Sequence, residues 1–147
     1  MILGSISIKS DSIEKRTVLS PETIKKLSAL NIKILINKGY ASQSNISDNE
    51  LVSLGAEIAE EDKIYQQSDI LVKINFEETA KIDLIKKGSV LVLNYFDKKN
   101  KETFNSLLKK NINIFSLDLL PRITRAQSMD ILSSQANLAG YRAVIDS

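Results

Sequence analysis

An open α/β fold, with a mainly parallel sheet and helices on both faces, is predicted by three features of the sequence. β-Branched apolar runs alternate with short amphipathic segments along the chain, the pattern of repeated β-α-β crossovers. Two of the runs, Ile70-Leu-Val-Lys-Ile74 and Val90-Leu-Val-Leu93, are almost continuously apolar, as expected of central parallel strands covered on both faces. The junctions carry helix punctuation: Ser20-Pro21-Glu22 and Ser47-Asp48 at starts, Gly55 and Gly88 at ends. The layering is flavodoxin-like or Rossmann-like, with about five or six strands.

Taken in order, residues 1–8 alternate apolar and small residues and read as the first strand. Residues 9–19 form a polar loop containing Glu14-Lys15-Arg16. A helix follows from Ser20, with Ile24, Leu27 and Leu30 as its buried stripe and Asn31 as its end. Ile32-Lys-Ile-Leu-Ile36 is a strand. After a polar loop from Gly39, Ser47 caps a short helix closed at Gly55, and Ala56–Ile58 is a brief strand. Asp62–Gln67 is helical, and Ile70–Ile74 a central strand. Glu77–Lys86 is expected as a helix, Val90–Leu93 as a strand, Lys99–Lys109 as an amphipathic helix and Ile112–Phe115 as a strand.

A chain of 147 residues has the length of one domain with a real core, here 1–147. Its 20 basic and 18 acidic residues are interleaved and net to +2, which gives no electrostatic footprint for nucleic acid. The paired lysines fall near helix ends and read as solvated surface. With neither histidine nor cysteine, imidazole-based triads, thiolate chemistry and most zinc sites are excluded, and no metal is expected. No apolar run approaches the ~20 residues that cross a bilayer, and the expectation is a cytoplasmic chain. The glycines (Gly4, Gly39, Gly55, Gly88 and Gly140) nowhere form a G-x-G-x-x-G turn, so no segment is suited to close approach of a dinucleotide pyrophosphate.

The densest group of hydrogen-bonding side chains follows Pro121: Arg122, Thr124, Arg125, Gln127, Ser128 and Asp130. Pro121 favours an extended residue before it, so a strand should stop and a loop begin there. Beyond it, Met129, Leu132, Ala136, Ala139 and Ala143 recur at helical spacing and predict one buried stripe. A strand-to-helix junction exposes backbone N–H groups that suit a phosphate, carboxylate or carboxamide. Arg122, Gln127 and Asp130 together match the one acceptor and two donors of a primary carboxamide. The plainer reading is a polar surface loop in which Thr124 and Gln127 form a capping box.

From Asp118 through Ile145 this run resembles the signature loop of the NAD(H)-binding component of proton-translocating NAD(P) transhydrogenase, the N-terminal part of its alpha subunit. The earlier residues resemble that family more weakly, but in order. The resemblance implies a loop over the nicotinamide of NAD(H). In it Arg122, Asp130 and Ser133 serve the carboxamide, Gln127 the nicotinamide ribose and the hydride-transfer partner, and the backbone of Ile123 and Thr124 lines the pocket. It implies no catalytic side chain beyond positioning by Gln127. It also implies NADP(H) on a partner component, a membrane subunit, and a place on the inner face of the cell membrane; a homodimer stays open. Only the N-terminal subdomain of the family is matched, and the Gly-rich NAD-binding subdomain is absent. The alternative is a truncated, non-catalytic remnant or assembly module.

Glu14-Lys-Arg-Thr-Val-Leu-Ser-Pro-Glu22 resembles a motif that transhydrogenases share with alanine dehydrogenases. In the latter, residues matching Arg16 and Lys73 hold pyruvate, which makes these two a candidate small-anion site; otherwise they stabilise the loop at the sheet edge. That family's histidine acid/base would follow the strand ending at Leu93, where this chain reads Asn94-Tyr95-Phe96-Asp97. Alanine dehydrogenase activity is therefore not expected.

Overall fold

The computed structural model describes residues 1–8, 14–76, 79–94 and 101–147. Six strands form one parallel sheet in the order β3-β2-β1-β4-β5-β6. They are β1 (Ile2–Ser5), β2 (Lys33–Ile36), β3 (Ala56–Ile58), β4 (Ile70–Lys73), β5 (Val90–Leu93) and β6 (Asn113–Ser116). The helices are α1 (Pro21–Ala29), α2 (Asp48–Ser53), α3 (Glu61–Gln67), α4 (Lys101–Lys109) and α5 (Ile131–Asp146). This is the doubly wound order whose reversal between β1 and β4 opens a crevice at the carboxyl ends of the strands.

The predicted caps form. Ser20 accepts from the Thr23 amide at 3.2 Å and Ser47 from the Glu50 amide at 3.2 Å, and Pro21 occupies the first turn of α1. Asn31 and Gly55 sit in the left-handed region, at φ 57° and 108°, after α1 and α2, where little or no Cβ penalty applies.

Alternation along the strands divides the core in two. Leu35, Leu71, Leu91 and Leu93 pack with Ile64, Tyr65, Ile82 and Leu107 under α3 and α4. Leu3, Ile34 and Ile36 pack with Ile24, Tyr40 and Leu51 under α1 and α2. The second face is well covered only over β1–β3. Ile70, Val72, Val90 and Val92 are half-buried, and Phe115 is 58% exposed. The continuous burial expected of β4 and β5 is thus met on one face only.

Three further expectations are corrected. The helix expected over 77–86 is a 3-10 helix at Thr79–Leu84. Its neighbourhood buries Ile82 and Ile85, three residues apart, which is the 3-10 repeat; residues 77–78 lie outside the described residues, as do 95–100, where the next helix is expected to begin. The segment after Pro121 is a 3-10 helix at Thr124–Met129, whose N-cap Ile123 makes no side-chain cap bond, so the Thr124–Gln127 capping box does not form. The apolar stripe of α5 is not buried. Every residue from Leu132 onward is exposed, Val144 at 76%. Among the described residues no neighbouring element covers that helix beyond its first turns.

Candidate functional site

The signature segment folds into a cavity of about 250 Å³ lined by Pro121, Arg122, Ile123, Thr124, Ala126, Gln127, Asp130 and Ser133. All six residues that the resemblance assigns to the nicotinamide end therefore meet in one place, whereas Arg125 and Ser128 stay off the wall. Ala126 is the buried anchor of the 3-10 helix; the polar side chains around it face outward. Asp130 then caps α5, accepting from the Ser133 amide at 3.2 Å and the Ser133 hydroxyl at 2.6 Å. These two bonds, with the Arg122 charge a smaller contribution, hold the Asp130 carboxyl below its ordinary range. At neutral pH it is an acceptor, and its two oxygens keep lone pairs beyond those used by the cap. Asp118, ahead of the loop, accepts a hydrogen bond from Ser116 Oγ, and its amide donates to Asn94 O at 3.0 Å.

A second cavity of about 270 Å³ lies at the carboxyl ends of β4 and β5. Arg16 and Lys73, paired from the sequence, both line it, with Asn94, Ser134 and Gln135. Lys73 is 4% exposed. Its Nζ donates to Tyr65 Oη at 2.9 Å and lies 5.7 Å from the ring centroid of Phe76, within reach of a cation–π contact. Arg16 is bound by Glu14, Nε to Oε1 at 2.8 Å and Nη2 to Oε2 at 2.5 Å. This pairing holds the Glu14 carboxyl down to about 2. Arg16 Nη1 also donates to Gln135 Oε1 at 3.2 Å.

The segment bearing Arg16 is fixed from behind by Tyr40. Its buried Oη lies 3.0 Å from the Leu19 amide and 2.9 Å from Ser5 Oγ, and Ser5 donates to Val72 O at 2.8 Å. The one hydroxyl hydrogen of Ser5 is used on Val72, so Tyr40 donates to Ser5 and accepts from Leu19. The result is a directed chain of bonds from the loop to β4.

The first turns of α5 serve both cavities: Ser133 lines the first, and Ile131, Ser134 and Gln135 the second. Sequence reasoning missed Gln135, Ser134 and Tyr65. Positions 131, 134 and 135 share a helical face, the one signal that pointed at them. Among the described residues no cluster of ligating side chains could hold a metal, and no helix is long and apolar enough to cross a membrane.

A doubly wound parallel sheet with a cavity at the carboxyl ends of its central strands places the chain in the open α/β class. Residues 8–139 match the family model for the N-terminal domain of alanine dehydrogenase and PNT, and the chain belongs to that family. Over 139 residues it is 41% identical to the first of the parts that make up NAD(P) transhydrogenase subunit alpha in Rhodospirillum rubrum, covering 90% of this chain and 36% of the relative. It is 35% identical to NAD(P) transhydrogenase subunit alpha of Haemophilus influenzae, over 90% of this chain and 26% of that one. The crystal structure of transhydrogenase from Sinorhizobium meliloti superposes with a TM-score of 0.83 at 35% identity, covering 98% of this chain and 43% of that chain. The chain is thus homologous to transhydrogenase alpha subunits and spans about a third of the length of the R. rubrum relative.

Proposed function

We propose that this chain is the nicotinamide-end component of a proton-translocating NAD(P) transhydrogenase, which moves hydride from NADH to NADP+ on a partner component. The observation that carries the reading is the single cavity that gathers Arg122, Ile123, Thr124, Gln127, Asp130 and Ser133. Its donor set fits a carboxamide. Arg122 donates to the carbonyl oxygen, and ionised Asp130 with Ser133 Oγ accepts from the amide hydrogens. At about 250 Å³ it lies below the usual ~300–1,000 Å³ of pockets that enclose a whole ligand, so it takes one end of a dinucleotide.

When bound, NAD(H) supplies the hydride. The protein's part is orientation: Arg122 and Asp130 fix the ring plane, and Gln127 contacts the ribose side and faces the partner. Holding reacting groups in place is sufficient for such a step without a side-chain nucleophile or base. The pyrophosphate is left to a Gly-rich subdomain outside these 147 residues, and the assembly includes a membrane subunit and sits on the inner face of the membrane. The bare apolar side chains of α5, including Leu138, Tyr141 and Val144, support docking of that remainder. They equally support an assembly module without turnover, the second reading. An alanine dehydrogenase is disfavoured because the sequence contains no histidine; of the segment where that residue is expected, 95–97 lie outside the described residues.

The second cavity is assigned to a small carboxylate held between Arg16 and Lys73. The support is that buried Lys73 and Arg16 both line the cavity, since two cations neutralise and orient such an anion.

Calorimetric titration of NADH into the chain, with and without Arg122→Ala, tests the main reading. Binding is expected near the millimolar range, about −4 kcal/mol, and lost in the variant. A micromolar dissociation constant indifferent to Arg122 would overturn it.

A further inference from the structure

The cavity at the ends of β4 and β5 carries a carboxylate of its own at the rim. A guanidinium grips a carboxylate best along one edge, through two parallel bonds. On Arg16 that edge is taken: Nε reaches Glu14 Oε1 at 2.8 Å and Nη2 reaches Oε2 at 2.5 Å. Oε1 also accepts from the Arg16 amide at 3.0 Å, so the motif closes over two residues and orders little chain. Nη1 is held by Gln135 at 3.2 Å. Arg16 and Gln135 line the cavity, whereas Glu14 does not. The edge suited to a ligand is thus turned towards a residue outside the wall.

We infer that Glu14 is a built-in competitor for this cavity: a small carboxylate enters by exchanging with Glu14 on the Nε–Nη2 edge of Arg16. The inference rests on reading the cavity as a small-carboxylate site. Because the Glu14 carboxyl is held down to about 2, it is ionised at neutral pH and competes as a full charge. Affinity is then set by the difference between two similar carboxylate–guanidinium contacts. Simple carboxylates gain little from the exchange. A ligand with a second oxygen group that reaches Lys73 gains a contact that Glu14 does not make through Arg16, so the competitor selects for such ligands.

The test titrates oxalate at pH 7 and constant ionic strength into the wild-type chain, Glu14→Gln and Arg16→Ala. Melting curves verify that each is folded; Glu14 and Arg16 lie at the surface, with side chains 22% and 46% exposed. Glutamine keeps the shape and removes the charge, so oxalate should bind Glu14→Gln about tenfold more tightly, about 1.4 kcal/mol. Arg16→Ala should not bind it. In the wild-type protein, saturation with oxalate should move the Arg16 Nε–Hε resonance to the position it has in oxalate-bound Glu14→Gln. Equal affinity for wild type and Glu14→Gln, with loss in Arg16→Ala, would overturn the competitor while leaving the carboxylate site standing. No binding by any of the three would remove the site reading and the inference with it.

Discussion

Tyr40→Phe isolates the bond chain that holds the Arg16 segment against the sheet. Tyr40 is 3% exposed, and its ring packs in the core with Ile34, Ile36 and Leu51, so phenylalanine keeps the packing and deletes one oxygen. That oxygen accepts from the Leu19 amide at 3.0 Å and binds Ser5 Oγ at 2.9 Å. Ser5 keeps its bond to Val72 O, but the Leu19 donor, in a residue 3% exposed, loses this acceptor. Leaving a buried donor unsatisfied costs about 1–3 kcal/mol. At the middle of that range, and with roughly 2–4 °C per kcal/mol for a domain near this size, the melting temperature should fall by about 4–8 °C. Native-state hydrogen exchange separates this from a general loosening, because the Leu19 amide should lose protection first while the amides of β4 change only with global stability. Oxalate binding should weaken too, since Arg16 lies on the released segment. A melting shift below about 1 °C, with Leu19 still protected, would refute the assignment of Tyr40 as the anchor.

Gly4→Ala should destabilise the chain by about 1–3 kcal/mol through overpacking; a Cβ there would lie 2.0 Å from Ser68 Oγ and 2.7 Å from Ile64 Cγ2, and an unchanged denaturant midpoint would show that α3 gives way freely. Glu14 should titrate near pH 2, well below the ordinary carboxylate value of 4.5, when followed by its side-chain carboxyl carbon resonance. The sign follows: its depressed folded value makes its contribution fully present above pH 4.5 and lost as pH falls towards 2. As an exposed ion pair it should contribute no more than about 1 kcal/mol, and less at high salt. A midpoint at the ordinary value would show that the Arg16 pair does not persist in solution.

Much of the fold is legible in the sequence because it rests on local rules. Ser20, Ser47, Asn31 and Gly55 punctuate helices through their own side chains or backbone freedom, so their positions can be read directly. The apolar runs at β4 and β5 mark the centre of the sheet for the same reason. The 3-10 helix at Thr79–Leu84 reads as an α-helix because short apolar spacings of three and four are ambiguous until the packing partners are known. The stripe of α5 reads as buried because periodicity reports amphipathicity and not the presence of a neighbour.

The candidate site divides along the same line. Arg122, Ile123, Thr124, Gln127, Asp130 and Ser133 lie within twelve residues, and a loop leading into a helix brings such neighbours together with little help from the rest of the chain; the sequence by itself determined that group. Arg16, Lys73 and Gln135 are far apart in sequence, and only the parallel crossover order places the β1 loop, the end of β4 and the first turn of α5 around one cavity. Tertiary structure also decided that Lys73 would be buried beside the Tyr65 hydroxyl and Phe76, and that Arg16 would turn its carboxylate-binding edge to Glu14. Composition fixes which charges exist, whereas a charge's partner depends on distances across the fold, which no local pattern encodes.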